Sequence, residues 1–468
     1  MGKKVIAIML VLMMSIGVIT GCSSNTTSTN STGSTTTTST STSTESSTSN
    51  TAGALKPAEL TMWTFLDLTS KNARAIVLGN LIKKFEAANP GVKVKVETQE
   101  WTTMSAKIIA AHAAGNSPDI FMINMANLGE AIAAGCMEPL ENLFFNNWTD
   151  EQRTDIESEL FKAGYDGKYH YEVPLFSGTF GIMYRTDLFE KFGIKVEDIK
   201  TWDELAEVAK KLTYVNEDKL QVYGYGVGYS TDVTDPHGVL PTALFSQEGG
   251  IFTKDGKPNK WTGDAGKRAL QFQIDLIDKH KVMPPSSVAL TSEEVYNMFE
   301  AGQFAMISGG SLRVPTVKGL TAFDPNYVGF MAYPEWNKGQ GSSIANAYSW
   351  NTAVWSGSKN KEAAGKFLEY LVSPEADKMW VTEANQIPIL SSTLKSAADF
   401  INKPDNSWMI TTKDIYSKSA HVFSGAYGIT GFALDLQNAM IYAYSDGMSV
   451  EDALKKAEKD FTDRNVNR

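Results

Sequence analysis

Apolar positions change period from one segment to the next downstream of Pro57. "ELTMWTF" reads as a strand from Glu59 to Phe65, with no turn residue inside it. Leu78, Leu81, Ile82 and Phe85 then recur at helical spacing until Asn89-Pro90-Gly91 stops the pattern. "VKVKVET" alternates, with Val92, Val94 and Val96 on one face. That order predicts a βαβ unit, with two neighbouring parallel strands and a helix packed across them. A helix through Lys107 to Ala114 ends at Gly115, and the apolar run "DIFMIN" follows as a buried strand. Thr201 with Glu204, and Thr291 with Glu294, are capping boxes ahead of apolar stripes. Ala363, Ala364, Phe367, Leu368 and Leu371 mark another amphipathic helix, ending near Ser373-Pro374; Val450, Leu454, Ala457 and Phe461 mark the last. The fold class is α/β, with open sheets covered by helices, in which ligands collect at the C-terminal ends of strands.

The N-terminal pattern is of another kind. Lys3 and Lys4 precede an apolar run from Val5 to Ile19, too short for a comfortable membrane span and suited to an export signal. It ends in Ile19-Thr20-Gly21-Cys22, which resembles the lipobox of bacterial lipoproteins, with Ile19 where Leu is preferred. The resemblance implies a signal peptide over 1–22 and a diacylglycerol on Cys22. From Ser23 to Thr51 almost every residue is Ser or Thr, so residues 23–56 read as a disordered tether with a reach of roughly 30 Å. Two or more acyl chains suffice for stable anchoring.

About 410 residues remain from Pro57 to Arg468, enough for two domains. The net charge of −10 argues against nucleic acid as a partner, because phosphate binding needs basic patches. Once Cys22 is modified only Cys136 is left, so no intrachain disulfide can form; its apolar neighbours predict a buried, inert thiol. The five histidines show no metal-ligand spacing, and no phosphate-binding loop, dinucleotide fingerprint or nucleophile elbow is present. No cofactor is expected. Tyr169 and Tyr171 in "KYHYEVP" read as one face of a strand rather than as metal-binding tyrosines.

Segments now fall into a recognisable order. "LTMWTF", "LIKKFEAANPGVKVKVE", "KIIAAHAAGNSPDIFMIN" and "AAGCMEPLENL" are followed by "YDGKYHYEVPLFSGTFGIMYRTDLFEKFGI", "TWDELAEVAKKL", "FEAGQFAMISGGS" and "SKNKEAAGKFLEYLVSPEADKMW". Together they resemble the extracellular solute-binding proteins of ABC importers, family 1, in the branch that mostly binds carbohydrates; Arg185 stands where the family usually has Asn. The resemblance implies a two-lobed periplasmic-binding-protein-like fold of type II, each lobe an open sheet flanked by helices, with a hinge between lobes. Residues 57–176 and 329–374 would form the N-terminal lobe, and 177–328 and 375–468 the C-terminal lobe. The crossings would lie near Phe176 to Gly178, Val328 to Met331 and Ser373 to Ala376.

Carbohydrate recognition needs flat apolar surfaces for sugar C–H faces and fixed polar groups for the hydroxyls. Residues of those types near strand ends and crossings are Phe65, Asp67, Trp101, Asn124, Phe176, Ser311, Trp336, Tyr348 and Trp350. Several have a plainer reading: Asp67 as a turn residue, Trp101 as lobe packing. Trp63, Trp202, Trp261 and Trp380 are assigned to packing. Leu312 stands after the Gly-rich step where relatives often have Trp, which removes a stacking surface. Arg313 beside it pairs with an anionic group or faces solvent.

The implied function is a non-enzymatic receptor that binds sugar, closes and docks on a permease served by a separate ATPase. It would act as a monomer held at the outer face of the cell membrane by the lipid on Cys22. The alternatives are a surface-tethered glycoside hydrolase, which needs two carboxylates about 5 to 10 Å apart, and a receptor presenting sugar to a membrane kinase.

Overall fold

Strand β1 (Ala58–Thr64), the helix Ala73–Ala88 and strand β2 (Val92–Thr98) build the expected βαβ unit. The strands run parallel in unbroken register from Ala58 opposite Val92 to Thr64 opposite Thr98. The Asn72 side chain opens the helix by accepting from the Arg74 N–H at 2.9 Å, and Leu78, Leu81, Ile82 and Phe85 lie on its buried stripe. Gly91, at φ +102°, makes the turn into β2. These coordinates are a computed structural model that describes residues 55–156, 158–230, 238–253, 256–341, 343–421 and 431–465. The export signal, Cys22 and the tether as far as residue 54 lie outside the described residues.

The next helix spans Trp101–Ala113, starting well before the expected Lys107. No Gly or Pro separates Trp101 from Lys107, so nothing stops the turns propagating back to the end of β2. Strand β3 (Ile120–Asn124) is buried throughout.

The remaining strands are β4 (Val173–Arg185), the short hairpin β5 (Tyr214–Val215) and β6 (Gln221–Val222), β7 (Met306–Gly310), β8 (Val328–Met331), β9 (Ala345–Val354) and β10 (Ala420–His421). β1, β2 and β3 are mutually parallel, whereas β9 is antiparallel to both β3 and β4. The sheet is therefore mixed. β4 changes partners along its length: Val173 to Thr179 pair with β9, while Phe180 to Tyr184 pair with β7 and Ile182 to Arg185 with β8. One strand thus serves two groups of strands, and its first eleven residues are buried.

Both capping boxes form as expected, ahead of the helices Trp202–Lys211 and Ser292–Glu300. The helices Lys361–Leu371 and Val450–Asn465 also fall where their apolar stripes put them. The stretch from Tyr169 to Tyr171 is not a strand. Asp166 accepts from the Lys168 and Tyr169 N–H groups and Gly167 takes φ +98°, so the chain turns tightly and leaves one bridge, Tyr165 to His170. Cys136 is buried, and its thiol is pushed up to about 11 by burial.

Candidate functional site

The antiparallel pairing of β4 with β9 sets Phe176 opposite Trp350 and Gly178 opposite Tyr348. Opposed residues share a face of the sheet, and so do alternate residues along a strand. Phe176, Gly178, Phe180, Tyr348 and Trp350 therefore line one face where β4 changes partners, and Asn124, opposite Trp350 on β3, joins them. Phe65, just beyond the C-terminal end of β1, places its ring 4.6 Å from that of Trp350. Phe180 and Tyr348 are 4.8 Å apart.

Two glycines make room for the Tyr348 ring. A Cβ on Gly178 would stand 3.0 Å from its Cζ, and one on Gly310 would collide with its hydroxyl. That hydroxyl accepts from the Leu312 N–H at 3.2 Å. Ser311, fully buried, accepts from the Thr179 N–H at 3.1 Å, and the Tyr296 hydroxyl accepts from the Gly310 N–H at 2.8 Å. The ends of β7 and the middle of β4 are thereby pinned through side chains rather than by pairing alone.

The sequence-derived candidates divide on placement. Phe65, Asn124, Phe176, Ser311, Tyr348 and Trp350 come together here. Asn124 also caps the following turn, accepting from the Ala126 N–H at 2.8 Å. Phe176 is wholly buried, edge-on to Trp380 at 4.9 Å, so it supports the face more than it presents a surface. Asp67 is exposed and accepts from the Thr69 N–H and hydroxyl, which lowers its carboxyl and serves a turn. Trp101 stands exposed at the first turn of its helix. Trp336 is not with this group; it packs on Trp202 at 5.8 Å and Phe272 at 6.2 Å, under Arg268. Trp202, Trp261 and Trp380 are fully buried, and Trp63 donates its indole N–H to Glu97 at 3.0 Å.

Sequence reasoning passed over Phe180, Tyr296 and Arg74. Arg74 lies in the first turn of the helix Ala73–Ala88, with its guanidinium 5.5 Å from the Phe65 centroid and 5.6 Å from that of Phe176. A cation at a helix N-terminus opposes the macrodipole, and that mismatch was the available signal. Arg313 is held by Glu293 at 2.7 Å and lies 4.6 Å over the Tyr296 ring. Two surface hollows of about 550 and 580 Å³, one at Lys84, Glu375 and Lys378 and the other at Glu207, Asp275 and His280, share no residue with this face.

The geometry offers aromatic planes, fixed polar atoms and a strand common to two groups of strands, and the chain is similar to known proteins. The profile of the bacterial extracellular solute-binding proteins matches residues 74–378. An arabinooligosaccharide-binding protein of Bacillus subtilis is 24% identical over 477 residues, covering 97% of this chain and 94% of its own. A solute-binding protein of an ABC transporter from Thermotoga lettingae, solved with α-D-tagatose, superposes with a TM-score of 0.71 at 24% identity, over 86% of this chain and 99% of that one. A glycerophosphocholine complex of UgpB from Mycobacterium tuberculosis gives 0.72 at 16% identity, over 87% and 99% of the two chains. The last two likenesses are of fold, and the fold is the two-lobed one.

Proposed function

This chain belongs to the family of bacterial extracellular solute-binding proteins, and from that premise we propose that it captures a carbohydrate between two lobes and delivers it to an ABC permease. The observation that carries the proposal is the aromatic face of Phe65, Trp350, Tyr348 and Phe180 at the place where β4 changes partners. Rings set across strands offer planes to the C–H faces of a pyranose, and Asn124 and Ser311 stand beside them with polar atoms. A ligand that touches residues on both halves of β4 favours a closed arrangement over an open one, which is how binding becomes a signal to the permease.

We take the lobe boundaries from the chain's own contacts. β4 leaves the first lobe between Gly178 and Phe180, and β9 brings the chain back at Ala345. Glu375 still pairs with Lys84, and Ser392 still donates to Asp155, both groups of the first lobe. Lys318 of the second lobe reaches the Asp405 carbonyl. On these contacts we propose a last crossing between 392 and 405.

On this reading there is no chemical step, the permease and its ATPase are separate chains, and the receptor works as a monomer. The lipid on Cys22 and the Ser/Thr tether would keep it at the outer face of the membrane. No helix among the described residues is long and apolar enough to cross a membrane. A thermal-shift panel of mono- and oligosaccharides tests the proposal. At one hundred times Kd a bound sugar should add about 2.7 kcal/mol of stability. A panel in which only peptides or polyamines raise the melting temperature, or in which a saccharide is hydrolysed, would overturn it. Cys22→Ser should release the protein from the membrane or leave it unprocessed, and normal membrane retention would remove the anchor from the account.

A further inference from the structure

Arg74 rests against aromatic rings and not beside an acid. It is half-buried, and among the described residues no carboxylate pairs with it. Burial and the charge of Arg313, with Tyr348 opposing, pull its pKa down to about 10. A guanidinium that loses water without gaining a counter-ion is costly to the folded chain. Its helix adds to that cost, since the first turn contains no acidic residue to balance the macrodipole.

Arg313 follows Leu312, whose N–H donates to the Tyr348 hydroxyl just beyond the end of β7, and its charge is felt at Arg74. Glu293 accepts from the Arg313 Nη2 at 2.7 Å, while the Arg313 Nε is buried without a hydrogen-bond partner among the described residues. Glu300 also feels Arg313, and burial holds its carboxyl above the ordinary value. Among the described residues the ion pair made by these two guanidiniums is that of Arg313 with Glu293. Both guanidiniums lie over rings, Arg74 over Phe65 and Phe176 and Arg313 over Tyr296, so their planes are fixed in advance. Fixed guanidinium planes bind carboxylate and phosphate oxygens through paired N–H···O bonds.

We infer that Arg74 and the unpartnered Nε of Arg313 form a subsite for an oxyanion, so the carbohydrate this receptor takes carries an acidic substituent, a carboxylate or a phosphate ester. This rests on the solute-binding reading and narrows it. The sugar ring lies against Trp350 and Tyr348, and the anion sits between the two guanidiniums. It supplies the counter-charge that Arg74 lacks among the described residues.

The test uses the full-length chain in detergent and matched pairs of ligands. These are galacturonate with galactose, glucuronate with glucose, their short oligomers, and glucose 6-phosphate; inorganic phosphate is added as a bare anion. At low salt the acidic member of at least one pair should bind about tenfold or more tighter than its neutral partner, and the uronate and phosphate arms decide which oxyanion is preferred. Arg74→Gln should erase that preference, and Arg74→Lys should restore part of it. Melting curves of both variants check that they fold. If neutral sugars bind as tightly as acidic ones, or the preference survives in Arg74→Gln, the subsite is wrong and the solute-binding reading stands. If no saccharide of either kind binds, both fall together.

Discussion

The ring of Tyr348 lies across the backbone of Gly310 so closely that a Cβ at position 310 would stand where the tyrosine hydroxyl is. The contact joins β9 to the end of β7, strands that do not pair with each other but both pair with β4. It also explains a glycine whose φ of −86° any residue could adopt. Space, not backbone freedom, requires glycine here.

Gly310→Ala should therefore force the Tyr348 ring off its seat and break its hydrogen bond from the Leu312 N–H. Overpacking of this kind costs about 1 to 3 kcal/mol, measurable as a lower urea midpoint. The same substitution in a Tyr348→Phe background should cost less, because the atom struck is the hydroxyl. A double-mutant cycle with no coupling would show that the ring is free to move aside.

Much of this was legible beforehand, and the limits have physical causes. The βαβ unit and both capping boxes depend on residues within a few positions of one another, so local spacing encodes them. Tyr348 and Trp350 were legible as aromatic residues near strand ends and crossings. Their stacking with Phe65 was not, because the register of β3, β9 and β4 decides it. Trp336 shows the converse. It follows β8 as an aromatic should at a strand end, yet its ring turns into the Trp202 pack, and nothing local distinguishes that face from the other. The turn at Gly167 defeated an alternating pattern because Asp166 offers two backbone N–H groups a nearer acceptor than a neighbouring strand.

Phe65 is the ring to remove first, because it is half-buried while Trp350 is only 8% exposed. Phe65→Ala should weaken sugar binding by about tenfold, near 1.4 kcal/mol, with a modest loss of stability. Trp350→Ala should weaken binding at least as much, but it also empties a core site, at about 3 to 5 kcal/mol. Calorimetric titration beside urea unfolding separates the two effects. Unchanged affinity in Phe65→Ala would take that ring out of the site.

Asp435 and Arg464 clip the helix Phe432–Tyr444 to the helix Val450–Asn465. The guanidinium donates to both carboxylate oxygens, at 2.6 and 2.9 Å, and the Asp435 side chain is wholly buried. Arg464→Leu should strand that carboxylate, and breaking a buried pair from one side costs about 3 to 5 kcal/mol. Replacing both, as Asp435→Leu with Arg464→Leu, should recover most of the loss. If the single variant is as stable as the parent, the pair does not hold these helices together.

Glu172 gives a pH dependence with a definite sign. It is 1% exposed at the head of β4 and packed against Gly164, whose backbone offsets only part of the burial. Burial raises its pKa well above the ordinary 4.5, so the folded state keeps the proton that the unfolded chain releases. Asp377 behaves likewise, raised from 3.8 to about 6 by burial although the Ile389 and Leu390 N–H groups donate to it. A raised acid contributes its full stability below the unfolded value and loses it as pH rises toward the folded one. The contribution of these two groups should therefore decline from about pH 4 upward, by at most about 1.4 kcal/mol per unit for each. Asp377 stops contributing to the slope near pH 6, and Glu172 continues beyond it. Glu172→Gln keeps the shape and removes the proton, so it should match the parent in urea unfolding at pH 4 and exceed it at pH 7.5. Equal stability at both values would mean that Glu172 ionises in the folded protein as readily as in the unfolded chain.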